Sequence, residues 1–112
     1  LKTGANGLET KCFLLSAIEA GLTPSVDPYI YLDGAVTDYF NVPIKDSKRI
    51  AYFNGAAVKW WHRTPYKSDT NLVDGTSISG GLSVSQANGK GGVRPAVILA
   101  SNTPIDGTNI KL

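Results

Sequence analysis

The sequence predicts an α+β domain with a small twisted antiparallel sheet, one or two short helices and long loops. Three observations predict this class. Residues 58–65 alternate as a strand does, residues 93–100 form a longer apolar strand, and residues 16–19 have the spacing of a helix-start capping box. Glycines and prolines separate these segments, so each element should be short. A chain of 112 residues can bury about two-thirds of its unfolded surface, which is enough for one core.

The first elements are a short strand and one helical turn. Residues 1–10 are rich in Gly, Asn and Thr and predict an extended arm or loop. A short apolar strand follows from Lys11 to Leu15. The serine and glutamate of Ser16-Ala17-Ile18-Glu19 can satisfy each other's free backbone donors. Gly21 can then end the turn in a left-handed conformation.

The middle of the chain predicts a long loop and then a second short helix. Residues 22–44 contain three prolines that interrupt regular structure, and their aromatic side chains need packing partners. A brief strand is expected from Tyr29 to Leu32 within this loop. From Asp46 the pattern favours a helix that stops at Asn54-Gly55.

The central strand is Val58–Pro65, which holds both tryptophans and the single histidine. Alternate residues of a strand face opposite sides. Trp60 and His62 should therefore share one face, and Trp61 the other. Burying one indole removes roughly 150–250 Å² from water. Two adjacent indoles on opposite faces imply cover on both sides of the strand, or one ring left as a contact surface. Pro65 cannot donate to a ladder and should end the pairing.

Two further pairings are predicted beyond this strand. Residues 91–99 are the expected antiparallel neighbour of residues 58–65. Asp74-Gly75 lies between two short apolar runs and predicts a two-residue hairpin turn. Six of the 12 glycines lie in residues 75–92, so the backbone should bend most there.

Four blocks of the sequence follow one another in order: Phe13 to Ser16, Arg49 to Ala51 with Asn54-Gly55, Trp60 to Pro65, and Gly92 to Ala96. Together they resemble an uncharacterised domain family of Firmicutes and their phages, with the recurring pattern FLLS…RIA…WWLR[ST]P…GVRPA. That family looks C-type-lectin-like and is similar in fold to formylglycine-generating enzymes and to variable phage receptor-binding domains. The resemblance implies that residues 1–112 form a single C-type-lectin-like domain or the C-terminal part of one. The family usually has an apolar residue where His62 stands, and further elements before the first block.

Composition and charge argue against several classes of function. The chain is 42% hydrophobic and 18% charged, as a globular domain is. Its net charge of +2, without a basic cluster interleaved with aromatics, predicts no nucleic-acid partner. No apolar run approaches the length of a membrane span. Cys12 is the single cysteine and cannot form an internal disulfide, and its apolar neighbours predict a buried thiol.

The sequence predicts a protein that is not an enzyme and needs no cofactor or metal. It contains no catalytic serine motif, phosphate-cradling loop or zinc-ligand spacing. His62 is alone and lacks the convergent partner that acid–base catalysis requires, so a satisfied, half-buried side chain is expected. The cysteine pair that binds copper in formylglycine-generating enzymes and the acidic and Asn ligands of calcium-dependent lectins are also missing.

The remaining functions are recognition and assembly. Residues 66–71 and 86–90 offer the small polar and aromatic contacts that paratopes use. We expect a receptor-recognition or adhesion module on a virion or extracellular surface, with a cell-surface glycan or protein receptor as partner. Its predicted ligand-binding residues are Trp61, Arg63, Tyr66, Asn71 and Asn88.

Each of these assignments has a structural alternative. Arg63 and Arg94 could pair with acids and loop carbonyls, because a guanidinium cannot be neutralised. Trp61 could simply cap the core. The whole chain could also be a structural virion or assembly protein, whose loop over residues 22–44 and tails pack into neighbouring subunits.

Overall fold

A computed structural model of the chain describes residues 12–42, 45–99, 102, 105–106 and 109–110. The predicted arm over residues 1–10 lies outside this part. The described helices and strands are β1 (Phe13–Leu14), a 3₁₀ helix (Asp38–Phe40), α1 (Lys45–Arg49), β2 (Ala51–Phe53), β3 (Ala56–Val58), β4 (Trp60–Pro65), β5 (Leu72–Thr76), β6 (Leu82–Gln86), β7 (Pro95–Ala96), β8 (Ile105–Asp106) and β9 (Asn109–Ile110). None of these helices is long and apolar enough to cross a membrane.

The strands form small antiparallel sheets, in agreement with the predicted α+β class. β4, β5 and β6 make a three-stranded sheet in that order, and β1–β7, β2–β3 and β8–β9 are two-stranded. Trp61 lies opposite Gly75, but Pro65 lies opposite Val73, so β4 has extra residues between these pairs. Such a bulge bends the strand and redirects its side chains.

The predicted strand over residues 58–65 is confirmed only from Trp60 to Pro65, because Val58 ends β3, and its predicted partner is wrong. β4 ends at Pro65 and pairs with β5, not with residues 91–99. That later segment meets β4 at a single parallel bridge between Trp60 and Gly92. Beyond it, β7 pairs with β1 instead. Pro95 has no backbone N–H, so this segment cannot donate a full ladder to a second strand.

The predicted second helix is shorter than expected. α1 ends at Arg49, and residues 51–58 form the β2–β3 hairpin. Asn54 and Gly55 have φ angles of 49° and 78° and make its two-residue turn. Positive φ at both central residues is the type I′ geometry that Asn-Gly favours, so this pair turns a hairpin instead of ending a helix.

The predicted turn at Asp74-Gly75 is wrong, because both residues lie inside β5. The turn between β5 and β6 comes later. Ser77 donates its N–H to the carbonyl of Gly81 at 2.8 Å, and Gly80 adopts a φ of 88°. The left-handed conformation at Gly80 is one that glycine adopts without steric cost.

The predicted capping box forms. The Ser16 N–H donates to Glu19 Oε2 at 2.9 Å, and the Glu19 N–H donates to Ser16 Oγ at 3.1 Å. Gly21, with a φ of 81°, donates its N–H to the carbonyl of Ile18, and Leu22 donates to that of Ala17. This is a Schellman ending after a single turn.

The buried apolar cluster lies directly on this turn. It contains Ala17, Ile18, Leu22 and Ile30, with Leu82 of β6 packed against it. Through this cluster, the helical turn over residues 16–22 packs against β6 of the three-stranded sheet. Cys12, just before β1, is exposed, so the prediction of a buried thiol is wrong.

Candidate functional site

The two faces of β4 have different environments. Trp60 is 1% exposed, and its Nε1–H donates to the carbonyl of Arg49 at 2.8 Å. Its ring meets the His62 ring edge-on, with centroids 4.7 Å apart. Trp60 and His62 are thus interior residues, and Trp61 on the opposite face is half-buried.

His62 is fully buried, deeper than the half-buried position predicted for it. Its Nε2 lies 2.9 Å from Thr76 Oγ1, but Nδ1 has no hydrogen-bond partner among the described residues. Burial, with a smaller contribution from the charge of Arg49, lowers the pKa of His62 to about 4. The ring is therefore neutral near pH 7, as a buried imidazole should be.

A second buried titratable group lies on β5. Asp74 is fully buried, and neither of its carboxylate oxygens has a hydrogen-bond partner in the described part of the chain. Burial, followed by the nearby charge of Asp27, raises the pKa of Asp74 to about 6. Sequence reasoning missed this residue because Asp-Gly was interpreted as an exposed turn.

Arg63, a predicted ligand-binding residue, is engaged by the protein itself. Its Nη1 and Nη2 donate to the Glu19 carboxylate at 2.7 and 2.8 Å, and its Nε donates to Asp33 Oδ2 at 3.0 Å. Nη1 also donates to the carbonyl of Leu14 at 2.7 Å. Although burial opposes it, the hydrogen bond from Arg63 lowers the pKa of Glu19. Arg63 therefore connects β4 to β1, to the helical turn that contains Glu19 and to the loop that contains Asp33.

Trp61 lies beneath the glycine-bearing loop that precedes residue 92. A Cβ added at Gly91 would lie 2.6 Å from Trp61 Nε1, so any larger residue there would force the indole or the loop to shift. The Nζ of Lys59 lies 5.0 Å from the centroid of the Trp61 ring and donates to Ser85 Oγ at 2.9 Å. The indole is therefore covered in part by backbone and by a lysine stem.

Two of the predicted residues, Asn71 and Asn88, line the same cleft of about 430 Å³. We call it the polar cleft; it is lined by Asp69, Thr70, Asn71, Leu72, Gln86, Ala87 and Asn88. The Ala87 N–H donates to the carbonyl of Asn71 at 2.9 Å, and the Asn71 N–H donates to Asp69 Oδ1 at 2.8 Å. The bond from Ala87 holds the two loops beside each other, and the bond to Asp69 orders the first loop.

The other predicted residues lie outside the lining of this cleft. Gly89, which follows Asn88, approaches the Trp61 ring. The hydroxyl of Tyr66 donates to Asp27 Oδ2 at 3.0 Å, and its ring packs against Tyr29 with centroids 5.6 Å apart. Trp61 is thus a neighbour of the loop that carries Asn88, whereas Tyr66 and Arg63 contact the segments before residue 34.

A second cleft, of about 690 Å³, was missed by sequence reasoning. We call it the apolar cleft; it is lined by Ile50, Ala51, Tyr52, Phe53, Val58, Trp60, Gly92, Val93, Arg94 and Pro95. Its two walls are some forty residues apart in the chain. The prediction of a helix from Asp46 to residue 53 also excluded the β2–β3 hairpin, which forms one wall of this cleft.

No group of three or more His, Cys, Asp or Glu side chains within the described ranges could hold a metal ion. Residues 2–101 match a family described as "Domain of unknown function (DUF6273)". The chain belongs to the DUF6273 family. This agrees with the predicted membership of an uncharacterised family. No curated protein and no solved structure matches the chain.

Proposed function

We propose that this DUF6273 domain is a non-enzymatic recognition or adhesion module of a phage virion or bacterial surface protein. Its ligand is a cell-surface glycan, and its binding site is the polar cleft. The observation that carries the proposal is that Asn71 and Asn88, seventeen positions apart in the sequence, line one cleft with further amide, hydroxyl and carboxylate side chains.

The chemistry of the polar cleft suits a sugar. Asparagine and glutamine side chains each accept and donate hydrogen bonds, as sugar hydroxyls do. Asp69 and Thr70 add an acceptor and a hydroxyl. The lining contains no Lys or Arg, which favours a neutral glycan over an acidic one. A volume of about 430 Å³ is within the usual range for ligand clefts.

In this proposal, Asn71 and Asn88 bind the ligand directly. Trp61 lies outside the lining of the polar cleft and supports the loop that carries Asn88. Arg63 and Tyr66 act indirectly, because their polar atoms bond to Glu19, Asp33 and Asp27 and hold the neighbouring loops.

A C-type-lectin-like fold is part of the same proposal. The small antiparallel sheets and the long loop between β1 and α1 support it. So does the order of the four sequence blocks that resemble the pattern given above. An experimental structure of the domain with its flanking chain tests this assignment; an unrelated strand order would overturn it.

Glycan-array binding tests the function. The wild-type domain should bind a restricted set of neutral glycans, and the double variant Asn71→Ala/Asn88→Ala should lose at least roughly ten-fold in affinity, or about 1.4 kcal/mol. Asn102→Ala, an exposed asparagine outside the polar cleft, is the matched control and should bind as the wild type does. Equal binding by the double variant at unchanged melting temperature would reject the site, and no bound glycan would reject the ligand class.

The alternative is a structural or assembly protein, and one observation favours it. The loop between β1 and α1 exposes apolar and aromatic side chains, among them Val26, Leu32 and Tyr39 at 60%, 78% and 55%. Clustered exposed apolar groups often mark protein contacts. An assembly role predicts a defined oligomer by light scattering, which Leu32→Asp dissociates. A monomer at all concentrations would favour the recognition module.

A further inference from the structure

The apolar cleft shares no lining residue with the polar cleft. It lies between the β2–β3 hairpin and residues 92–95. Tyr52, Phe53 and Val93 contribute to its lining and are each close to 70% exposed. An open, largely apolar cleft of about 690 Å³ is large enough for a small organic molecule.

Arg94 is the one charged residue in the lining of the apolar cleft. Its guanidinium carbon lies 5.1 Å from the centroid of the Trp60 ring and 5.6 Å from that of Phe40. Cation–π contacts of this kind hold a guanidinium in place without neutralising it. The cation is therefore positioned by two aromatic rings, one of them a wall of the cleft.

The hydrogen-bond donors of Arg94 are mostly unused by the described residues. Its Nη1 lies 3.5 Å from the carbonyl of Arg49, a long contact, and no described acidic residue forms an ion pair with it. A guanidinium has five N–H donors in a planar fork that matches a carboxylate. Arg63 differs sharply, because two carboxylates and a carbonyl engage its donors. Arg94 keeps the capacity to bind an anion.

The kind of anion follows from the rest of the lining. The lining side chains are apolar except for three polar groups: the Arg94 guanidinium, the Tyr52 hydroxyl and the Trp60 Nε1–H. The last of these donates to the carbonyl of Arg49. A single cation compensates one negative charge, whereas a phosphate dianion would need more donors than this site supplies. The hydrocarbon part of the ligand would contact the aromatic walls. A monocarboxylate with an apolar body fits both conditions.

We propose that the apolar cleft is a binding site for a free, small apolar monocarboxylate. Arg94 pairs with the carboxylate, and the exposed side chains of Tyr52, Phe53 and Val93 contact the hydrocarbon. The site is distinct from the polar cleft, so the domain would hold two ligands of different chemistry.

Calorimetric titration with 3-phenylpropionate and its neutral amide, 3-phenylpropanamide, tests the proposal. The wild-type domain should bind the acid at least ten-fold more tightly than the amide. Arg94→Gln should abolish this preference by weakening the acid alone. Equal affinity for acid and amide, or no binding of the acid at millimolar concentration, would overturn the proposal. So would binding of a peptide through its C-terminal carboxylate when free acids do not bind.

A second pair of variants avoids dependence on Arg94, whose stacking on Trp60 also contributes to packing. Val93→Asp places a negative charge at the rim of the apolar cleft and should weaken binding of the acid at least ten-fold. Val97→Asp adds the same charge at a residue that is 52% exposed and outside the lining, and should have little effect. Equal loss in both variants would contradict the site, and glycan binding by either variant reports separately on the polar cleft.

Discussion

Trp60 and Trp61 are neighbours in sequence but differ in every structural respect. Trp60 is enclosed, bonds through its Nε1–H to Arg49 and packs against His62. Trp61 is half-buried and is covered by glycine backbone and the stem of Lys59. The alternation of a strand thus divides β4 into a face that stabilises the fold and a face that supports a loop of the polar cleft.

The two faces therefore contribute differently to this small domain. On the interior face, the large rings of Trp60 and His62 pack against each other. On the other face, Gly91 lets its loop lie close to the Trp61 indole. Substitutions on the two faces should therefore affect different measurements.

Trp60→Ala should lower the free energy of unfolding by about 3–5 kcal/mol, because it removes a buried indole and leaves a cavity. Trp61→Ala should cost less than about 1.5 kcal/mol, since its ring is only partly enclosed. Urea denaturation of the two variants measures both values. A Trp60→Ala domain with wild-type stability would contradict the assignment of the interior face.

The pH dependence of stability should show two opposing contributions. The pKa of His62 is about 4 in the folded protein and near 6.5 when unfolded, so its contribution to stability is lost as pH falls from 6.5 to 4. The pKa of Asp74 is about 6 when folded and near 3.8 when unfolded, so its contribution is lost as pH rises from 3.8 to 6. The largest possible effect is about 3–4 kcal/mol for His62 and about 3 kcal/mol for Asp74, and the two effects oppose each other.

Single variants should separate these contributions. Relative to the wild type, His62→Leu should become more stable as pH falls from 6.5 to 4. Asp74→Asn should become relatively more stable as pH rises over the same range. Unfolding free energies at several pH values measure both slopes. Variants that differ from the wild type by a constant amount at every pH would show that neither group titrates as described.

Glu19→Gln should destabilise the domain by about 2 kcal/mol. The substitution breaks a partly buried ion pair with Arg63 and weakens the capping box at Ser16. Asp38→Asn, at an exposed acid in the 3₁₀ helix, is the control and should stay within about 0.5 kcal/mol. Equal effects in thermal melts of the two variants would mean that Arg63 does not organise these segments.

Gly91→Ala should destabilise the domain by about 1–2 kcal/mol, because the new Cβ would displace the Trp61 ring or the loop above it. Gly81→Ala is the matched control, since the added carbon would lie 3.8 Å from Ser77 Oγ, an ordinary van der Waals contact. The same pair should be compared in glycan binding, which Gly91→Ala should weaken. Unchanged stability and binding would separate Trp61 from the loop of Asn88.

Local patterns in the sequence predicted local structure well. The alternation of residues 58–65 placed Trp60 and His62 on one face, and the Ser16-to-Glu19 spacing predicted the capping box. The strand ended at Pro65 as expected, although Tyr66 still donates its N–H to the carbonyl of Leu72 in β5. Each of these features depends on residues at most a few positions apart.

Pairings between distant segments could not be predicted in the same way. Asn54-Gly55 and Asp74-Gly75 carry similar turn signals, yet the first makes a hairpin and the second lies within a strand. Whether an Asx-Gly pair forms a turn depends on which strands pair with each other. Here β5 pairs with β6 through a turn at Ser77 to Gly81. Both clefts are lined by segments that are distant in the chain. The sequence therefore predicted Asn71 and Asn88 as binding residues but not the polar cleft that joins them, and it did not predict the apolar cleft.

The most direct test of the division of β4 is the fluorescence of single-tryptophan variants. In Trp61→Phe, the remaining Trp60 should resist acrylamide quenching and keep its emission when glycan is added. In Trp60→Phe, the remaining Trp61 should be quenched readily and should change emission with glycan. Equal quenching of the two indoles, or a glycan response from Trp60 and not from Trp61, would contradict the account.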